Sequence, residues 1–333
     1  MNRANGTSAK IVGVGVDIPE KVLTNFDLEQ MVDTSDEWIT ERTGIKERRI
    51  VADDEATSDI ALRAAQRALD EAGVKPEELD LVICGTVTPD YMFPATACIV
   101  QHKLGAKRAG AFDLQAGCSS FVYGLAVATQ FLATGAMSRV LIIGADCLSR
   151  ITDYTKRETC VLFGDAAGAA VMVPCAREEG GVLAFELGSD GADPSILWVP
   201  AGGSRTPASE ETVRERRHFI EMQGREVFKF AVRVMSDSTE RVLKAAGVEP
   251  EQLSCVIPHQ ANDRITDAAR RRFGLPDDKV VSNVARFGNT SSASVPLALY
   301  DALTEGKIHP GDYIVMVAFG AGLTWASMVM KWV

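Results

Sequence analysis

A cysteine, a histidine and an asparagine stand out among the 333 residues by their surroundings. Cys118 lies in Ala109–Thr134, AGAFDLQAGCSSFVYGLAVATQFLAT. The apolar run Ala111 to Leu114 reads as a buried strand, and Gln115, Ala116 and Gly117 as a tight turn. From Ser119 onward the residues are apolar or small on every side, which suits a helix buried on all faces. A cysteine at that junction meets the unpaired N–H groups and positive dipole end of a helix N-terminus. Such a setting lowers a thiol pKa and favours the nucleophilic thiolate. The competing reading is one more buried structural cysteine, as Cys84 is in LDLVICG and Cys255 in LSCVIP.

A nucleophile needs partners from elsewhere in the chain. Of four histidines, His102, His218 and His309 read as surface or packing residues. His259 differs, because it leaves a buried strand directly, in PHQAN, and strand ends are where α/β proteins place chemistry. Asn289, in NVARFGNTSSASVP, sits in a polar turn feeding a helix; taken alone it reads equally as an ordinary turn asparagine. The glycine turn FGAGLTW, Phe319–Trp325, offers backbone N–H groups suited to an oxyanion.

Length and an apolar share of 46% allow one large domain or two coupled halves. The seven cysteines form no CxxC pair and no metal-ligand cluster, and nothing at the N-terminus reads as a signal peptide. A reducing, cytoplasmic setting with no metal is therefore expected. The net charge of −10 argues against nucleic acid as a partner. An acidic ligand would need a local basic patch, and ERTGIKERR (Glu41–Arg49) and Arg270–Arg272 are candidates. Two uncharged stretches, Leu114–Ser138 and Tyr313–Met330, are broken by Gly, Ser and Thr. They read as a buried helix and a strand–turn–strand rather than membrane spans. The GxG of AKIVGVGVDIP lacks a third glycine and meets Pro19, so it is no dinucleotide fingerprint.

The elements that must hold these residues repeat. ALDEAGVKPEELDLVIC (Ala68–Cys84) returns as VLKAAGVEPEQLSCVIP (Val242–Pro258) at an offset of 248 − 74 = 174. RVLIIGA (Arg139–Ala145) falls on YIVMVAF (Tyr313–Phe319) at the same offset, 313 − 139 = 174. Two matches in one register indicate an ancestral duplication into βα-rich halves, 1–176 and 177–333, with a seam near Pro174–Gly181. At this offset Cys118 falls on Ser292, so the Asn289 turn mirrors the cysteine elbow and both point toward one internal seam. Thr57–Gly73 reads as an amphipathic helix ending on Gly73, and Ala201–Arg217 as an exposed loop.

Seven motifs in order, TSDEWITERTGIKERRI, AGCSSF, LFGDAAGAAV, GREVFKFAV, PHQAN, GNTSSASVP and FGAGLTWAS, carry a resemblance running from about Ala9 to Val333. The chain resembles the β-ketoacyl-acyl-carrier-protein synthase III family of the thiolase superfamily, which initiates bacterial fatty-acid synthesis. The resemblance implies a five-layered αβαβα thiolase-like fold and a homodimer. It implies decarboxylative condensation of a short acyl-CoA with malonyl-acyl-carrier protein, with no cofactor beyond the CoA thioester substrate.

The resemblance also implies roles. Cys118 carries the acyl group, His259 and Asn289 stabilise the enolate, and the N–H groups of Cys118 and Ala321 hold the oxyanion; the family usually has glycine where this chain has Ala321. Trp38 and Arg157 would sandwich the adenine of CoA, with Arg42 and Thr43 beside them. Gly224, Phe228, Ala261 and Asn262 would line the pantetheine tunnel. Lys229, Arg264 and Arg271 would meet the acidic carrier protein, and Phe93 would close the partner's acyl pocket. Rival readings are a starter-unit condensing enzyme of polyketide or quinolone synthesis and, more remotely, a Cys-His-Asn hydrolase.

Overall fold

The computed structural model describes residues 6–274 and 276–333. β1 (Thr7–Asp17), β4 (Leu81–Gly85), β5 (Gly110–Leu114), β6 (Val140–Asp146) and β7 (Ala166–Ala176) form one mixed sheet in the order β1-β7-β6-β4-β5. β8 (Gly181–Ser189), β11 (Leu253–Pro258), β12 (Tyr313–Gly320) and β13 (Thr324–Lys331) form a second, in the order β11-β12-β13-β8. Two short antiparallel pairs lie apart: β2 (Lys21–Thr24) with β3 (Glu47–Ile50), and β9 (Leu197–Trp198) with β10 (Glu221–Met222).

The central strands are apolar on both faces, as sheets covered on both sides must be. Ile83 and Ile142 point to the core between the sheets, where Ile257, Ile314 and Met316 come from the other side. Their neighbours Val82, Leu141 and Ile143 pack outward against α3 (Thr57–Ala72), and α4 (Thr96–Leu104) joins that layer. Val256, Val315 and Val329 pack outward in the same way against α8 (Gly224–Ala246), beside α9 (Asp263–Phe273). Between the sheets lie α5 (Ser120–Ala133) and α11 (Ser294–Thr304), whose Phe121, Leu125, Val295 and Leu299 are fully buried. Helix, sheet, helix, sheet and helix make the five layers. Shorter helices complete the chain: α1 (Asn25–Glu29), α2 (Asp36–Thr43), α6 (Arg157–Cys160), α7 (Glu210–Arg214) and α10 (Val284–Phe287).

The offset of 174 governs more elements than its two motifs. β1 starts at Thr7 and β8 at Gly181; α5 starts at Ser120 and α11 at Ser294, so 181 − 7 and 294 − 120 agree. The short turns of 3-10 helix Pro76–Glu78 and Pro250–Gln252 obey it too. In each half one parallel and two antiparallel pairings repeat: β4 with β6, β6 with β7 and β7 with β1, against β11 with β12, β12 with β13 and β13 with β8. The halves differ at one edge. Opposite β5, the second half has a single bridge, Val256 to Val280.

One expectation is corrected here. β5 is not buried: it is the edge strand of its sheet, and Phe112 is 36% exposed. Only β4 pairs with it, and its Asp113 is turned to polar work, accepting from the N–H groups of Thr96 and Ala97 at the start of α4. Ala201–Arg217 is largely exposed as expected, but its Glu210–Arg214 is a helix begun by the Ser209 hydroxyl, which accepts from Thr212 N–H. The two uncharged stretches become α5 and the β12–β13 hairpin. Among the described residues no helix is long and apolar enough to cross a membrane.

Candidate active site

Two chain reversals meet at Cys118. Gly117 adopts φ +56, and a Cβ built on it would stand 2.6 Å from the Ala321 nitrogen. A Cβ on Gly320 would stand 2.3 Å from the Cys118 nitrogen. Both positions therefore require glycine, and the two amides, Cys118 and Ala321, line one cavity. Ala321 itself is outside the left-handed region, which its successor Gly322 occupies at φ +78, so its methyl group is tolerated. The cavity measures about 290 Å³ and takes its apolar walls from Val87, Leu148, Ile151, Phe163, Leu197 and Ile220.

Ser291 ties the remaining groups together. Its N–H donates to Asn289 Oδ1 at 2.9 Å, which occupies the carbonyl end of that amide and leaves its NH₂ for a ligand. Its carbonyl accepts from the Ser294 hydroxyl at 2.8 Å, and Ser294 Oγ lies 2.8 Å from His259 Nδ1. The Ser291 side chain lines the cavity and faces the Cys118 sulfur. Cys118, His259 and Asn289, 141 and 30 residues apart in sequence (259 − 118, 289 − 259), thus surround one turn.

His259 is anchored by its backbone N–H, which donates to Val317 O at 2.8 Å, and its ring stands edge-on to Phe319. Burial drives its pKa down to about 3, so the imidazole is neutral. Its tautomer follows from Ser294, which has one proton and two acceptors in reach. When that proton goes to Ser291 O, Ser294 Oγ accepts Nδ1–H and Nε2 carries a lone pair. When it goes to Nδ1, Nε2 carries the N–H and becomes a donor. The orientation of that hydroxyl thus matches either tautomer, while the change of tautomer itself takes one proton leaving Nδ1 and another arriving at Nε2.

The expected thiolate is not the resting form. Burial pushes the Cys118 thiol up to about 12, opposed by the Ser291 hydroxyl and the residue's own N–H and reinforced by Asp146. Desolvation of a charge outweighs the helix terminus here. Asp146, at the end of β6, was not singled out from sequence. Its Oδ1 takes Thr86 and Thr88 hydroxyls and the Val87 N–H, and its Oδ2 takes Ser292 N–H and hydroxyl. It binds the loop after β4 to the Asn289 turn across the two halves. An acidic residue closing the apolar run RVLIIGAD was the available signal. Ser291 and Ser294 lay inside a motif already noted, with nothing in their type to mark them.

The guanidinium carbons of Arg42 and Arg157 each lie 4.7 Å from the Trp38 ring centre. Arg157 rests directly on the indole, held by its bond to Asp33 O at 2.9 Å, so a purine between them requires the two planes to part. Thr43 differs from expectation. It is buried, its hydroxyl donates to Ile39 O and accepts from Ile45 N–H, and it serves the end of α2 rather than a ligand. Asn262 caps α9 through Arg264 N–H and donates to Arg42 O at 3.0 Å, joining the two halves beside Ala261. Gly224 opens α8, where an added Cβ would find only Met222 within 4 Å, and Phe228, one turn on, is stacked by Arg264. Lys229 and Arg271 are exposed, near Glu226 at 2.8 Å and Asp267 at 3.7 Å respectively. The Arg272 side chain lies outside the described residues.

The groups gathered at this turn come from both duplicated halves of the chain. The comparisons make the family specific. The model of 3-oxoacyl-[acyl-carrier-protein] synthase III matches residues 112–191, and its C-terminal model matches 243–332. β-Ketoacyl-[acyl-carrier-protein] synthase III of Caldanaerobacter subterraneus subsp. tengcongensis is 58% identical over 327 residues, covering 98% of both chains. That of Symbiobacterium thermophilum is 55% identical over 322 residues, covering 97% of both. The crystal structure of the Aquifex aeolicus synthase superposes with TM-score 0.90 at 47% identity, over 97% of this chain and 100% of that one. This chain belongs to the β-ketoacyl-[acyl-carrier-protein] synthase III family and is an acyltransferase of the condensing type.

Proposed function

We propose that the chain joins a short acyl-CoA to malonyl-acyl-carrier protein through an acyl group carried on Cys118, the initiating condensation of fatty-acid synthesis. The observation that carries this reading is the convergence of Cys118, His259 and Asn289 on the Ser291 turn. In the first half-reaction His259 Nε2, in its lone-pair form, takes the thiol proton as sulfur attacks the thioester carbonyl. The leaving CoA sulfur takes that proton, CoA departs as a thiol, and acyl-Cys118 remains. In the second, malonyl-acyl-carrier protein loses CO₂. The enolate oxygen accepts from the Asn289 NH₂ and from His259 in its Nε2–H tautomer, reached after CoA departs as the Nδ1 proton leaves and one from solvent arrives at Nε2. Its carbon attacks the acyl-Cys118 carbonyl, whose oxyanion is held by the Cys118 and Ala321 N–H groups. The sulfur is expelled as thiolate and takes a proton from solvent. Nothing in this sequence calls for a further cofactor or a metal.

Trp38, Arg42 and Arg157 suit the planar adenine and phosphates of CoA, with Gly224, Phe228, Ala261 and Asn262 along the pantetheine path. Thr43 is left out, for its hydroxyl is internally bonded. Lys229, Arg264 and Arg271 offer cations to an acidic carrier protein. A cytoplasmic setting is part of this proposal, and its homodimer is supported by Tyr91, Met92 and Phe93, exposed at 62%, 79% and 84%, and by the open edge of β5. We assign Phe93 to the partner's pocket, and divide the chain at 176/177, between β7 and β8.

Cys118→Ser tests the reading. Incubation with acetyl-CoA should add an acetyl mass to wild-type protein at the Cys118 peptide and none to the variant. Persistent labelling of the variant would remove Cys118 from its role.

A further inference from the structure

Ser291 is the one described residue of the cavity wall whose conformation and polar group are both anomalous. It has φ +50, in the left-handed region that disfavours any residue with a Cβ. Its side chain is 2% exposed, yet its hydroxyl makes no hydrogen bond of standard geometry. Buried hydroxyls are nearly always paired. Neighbouring serines of the same turn are: Ser292 donates to Asp146 and Ser294 to the Ser291 carbonyl. The strained backbone aims the odd hydroxyl at the Cys118 sulfur. Strain and an idle donor at one position are features that proteins keep at reacting centres.

A neutral thiol is a poor acceptor and a thiolate a strong one. We propose that the Ser291 hydroxyl is a further catalytic group, donating a hydrogen bond to Cys118 Sγ whenever that sulfur carries charge. This happens as sulfur attacks the acyl donor and again as it is expelled by the enolate. Ser291 keeps its own proton; the thiol proton follows the route through His259 to the departing CoA. A donor unused at rest and engaged only by the charged sulfur stabilises the transition state in preference to the ground state. Apart from the cysteine's own N–H, nothing else on the wall supplies this. No lysine or arginine lines the cavity among the described residues, His259 is neutral, and Asp146, on β6 behind the turn, works against the charge. The inference rests on Cys118 being the nucleophile.

The test follows alkylation of Cys118 by iodoacetamide across neutral to alkaline pH, read at the Cys118 peptide by mass spectrometry in the intact protein. Ser291→Ala removes only the oxygen; Ser291→Gly removes it and relieves the strained φ, so the test has a second variant if the first does not fold. Both keep the N–H that anchors Asn289. Expected are a profile displaced by about one pH unit to the alkaline side and acetyl-enzyme formation about tenfold slower at neutral pH. An undisplaced alkylation profile in a folded variant overturns the proposal. Acetylation of Cys118 with an undisplaced profile sinks Ser291 alone, whereas absence of acetyl-Cys118 in wild-type protein removes the nucleophile as well.

Discussion

The Ser291 N–H donates to Asn289 Oδ1 at 2.9 Å, and that single bond decides which end of the carboxamide faces a substrate. With its oxygen held, Asn289 can present only N–H donors. Donors at oxygen are what an enolate needs, since it is a carbanion equivalent and requires no strong acid.

Asn289→Asp should therefore be more informative than Asn289→Ala. The aspartate still accepts from Ser291 N–H but offers a second acceptor where a donor is needed. Malonyl-carrier decarboxylation should fall on the order of 10²–10³-fold, while acetyl transfer from CoA to the enzyme changes little. Equal losses in the two half-reactions would contradict the role.

Ser294→Ala leaves His259 Nδ1 without its partner at 2.8 Å and removes the hydroxyl that can match either tautomer of the ring. Overall kcat should drop roughly 10- to 100-fold. Alkylation of Cys118 should stay within about twofold of wild type, a split that general destabilisation does not produce.

Stability should decline in acid because of His259. Its pKa falls from 6.5 to about 3 on folding, so between those values the unfolded chain binds more protons than the native one. By linkage, stability rises with pH through this window and is lost as pH falls, by roughly 1.4 kcal/mol per unit at most. Melting temperatures measured from pH 7 to 4 should slope less steeply for His259→Asn than for wild type. Parallel slopes would mean that other groups govern acid sensitivity.

Trp38→Ala removes the ring on which Arg42 and Arg157 rest, both 4.7 Å from its centre. KM for acetyl-CoA should rise about tenfold with kcat nearly intact, the signature of lost uniform binding. KM for malonyl-carrier protein should not move; a matching rise there would place Trp38 in folding of α2 rather than in nucleotide binding.

Much of this molecule was legible in one dimension. The strands read as strands because both faces of Ile83, Ile142 and Ile314 and their neighbours are apolar. The duplication was visible because helix–turn–strand units recur 174 residues apart, and Cys118 was marked by the glycine turn before it and the apolar helix after it. His259 and Asn289 were marked by where their strand or turn ended. These are local properties, set by neighbours along the chain.

The rest depended on groups that meet only through folding. The edge position of β5 depends on which strand pairs with which, so Phe112 could be read as apolar but not as exposed. The protonation of Cys118 was misjudged because the helix terminus is a sequence feature, whereas desolvation comes from residues far away. The bonds of Ser291 to Asn289 and Ser294, and of Asp146 across both halves, have no pattern in a string of letters. A hydroxyl's partner is fixed by distances within a few ångströms, and such distances exist only after the two halves have closed on each other.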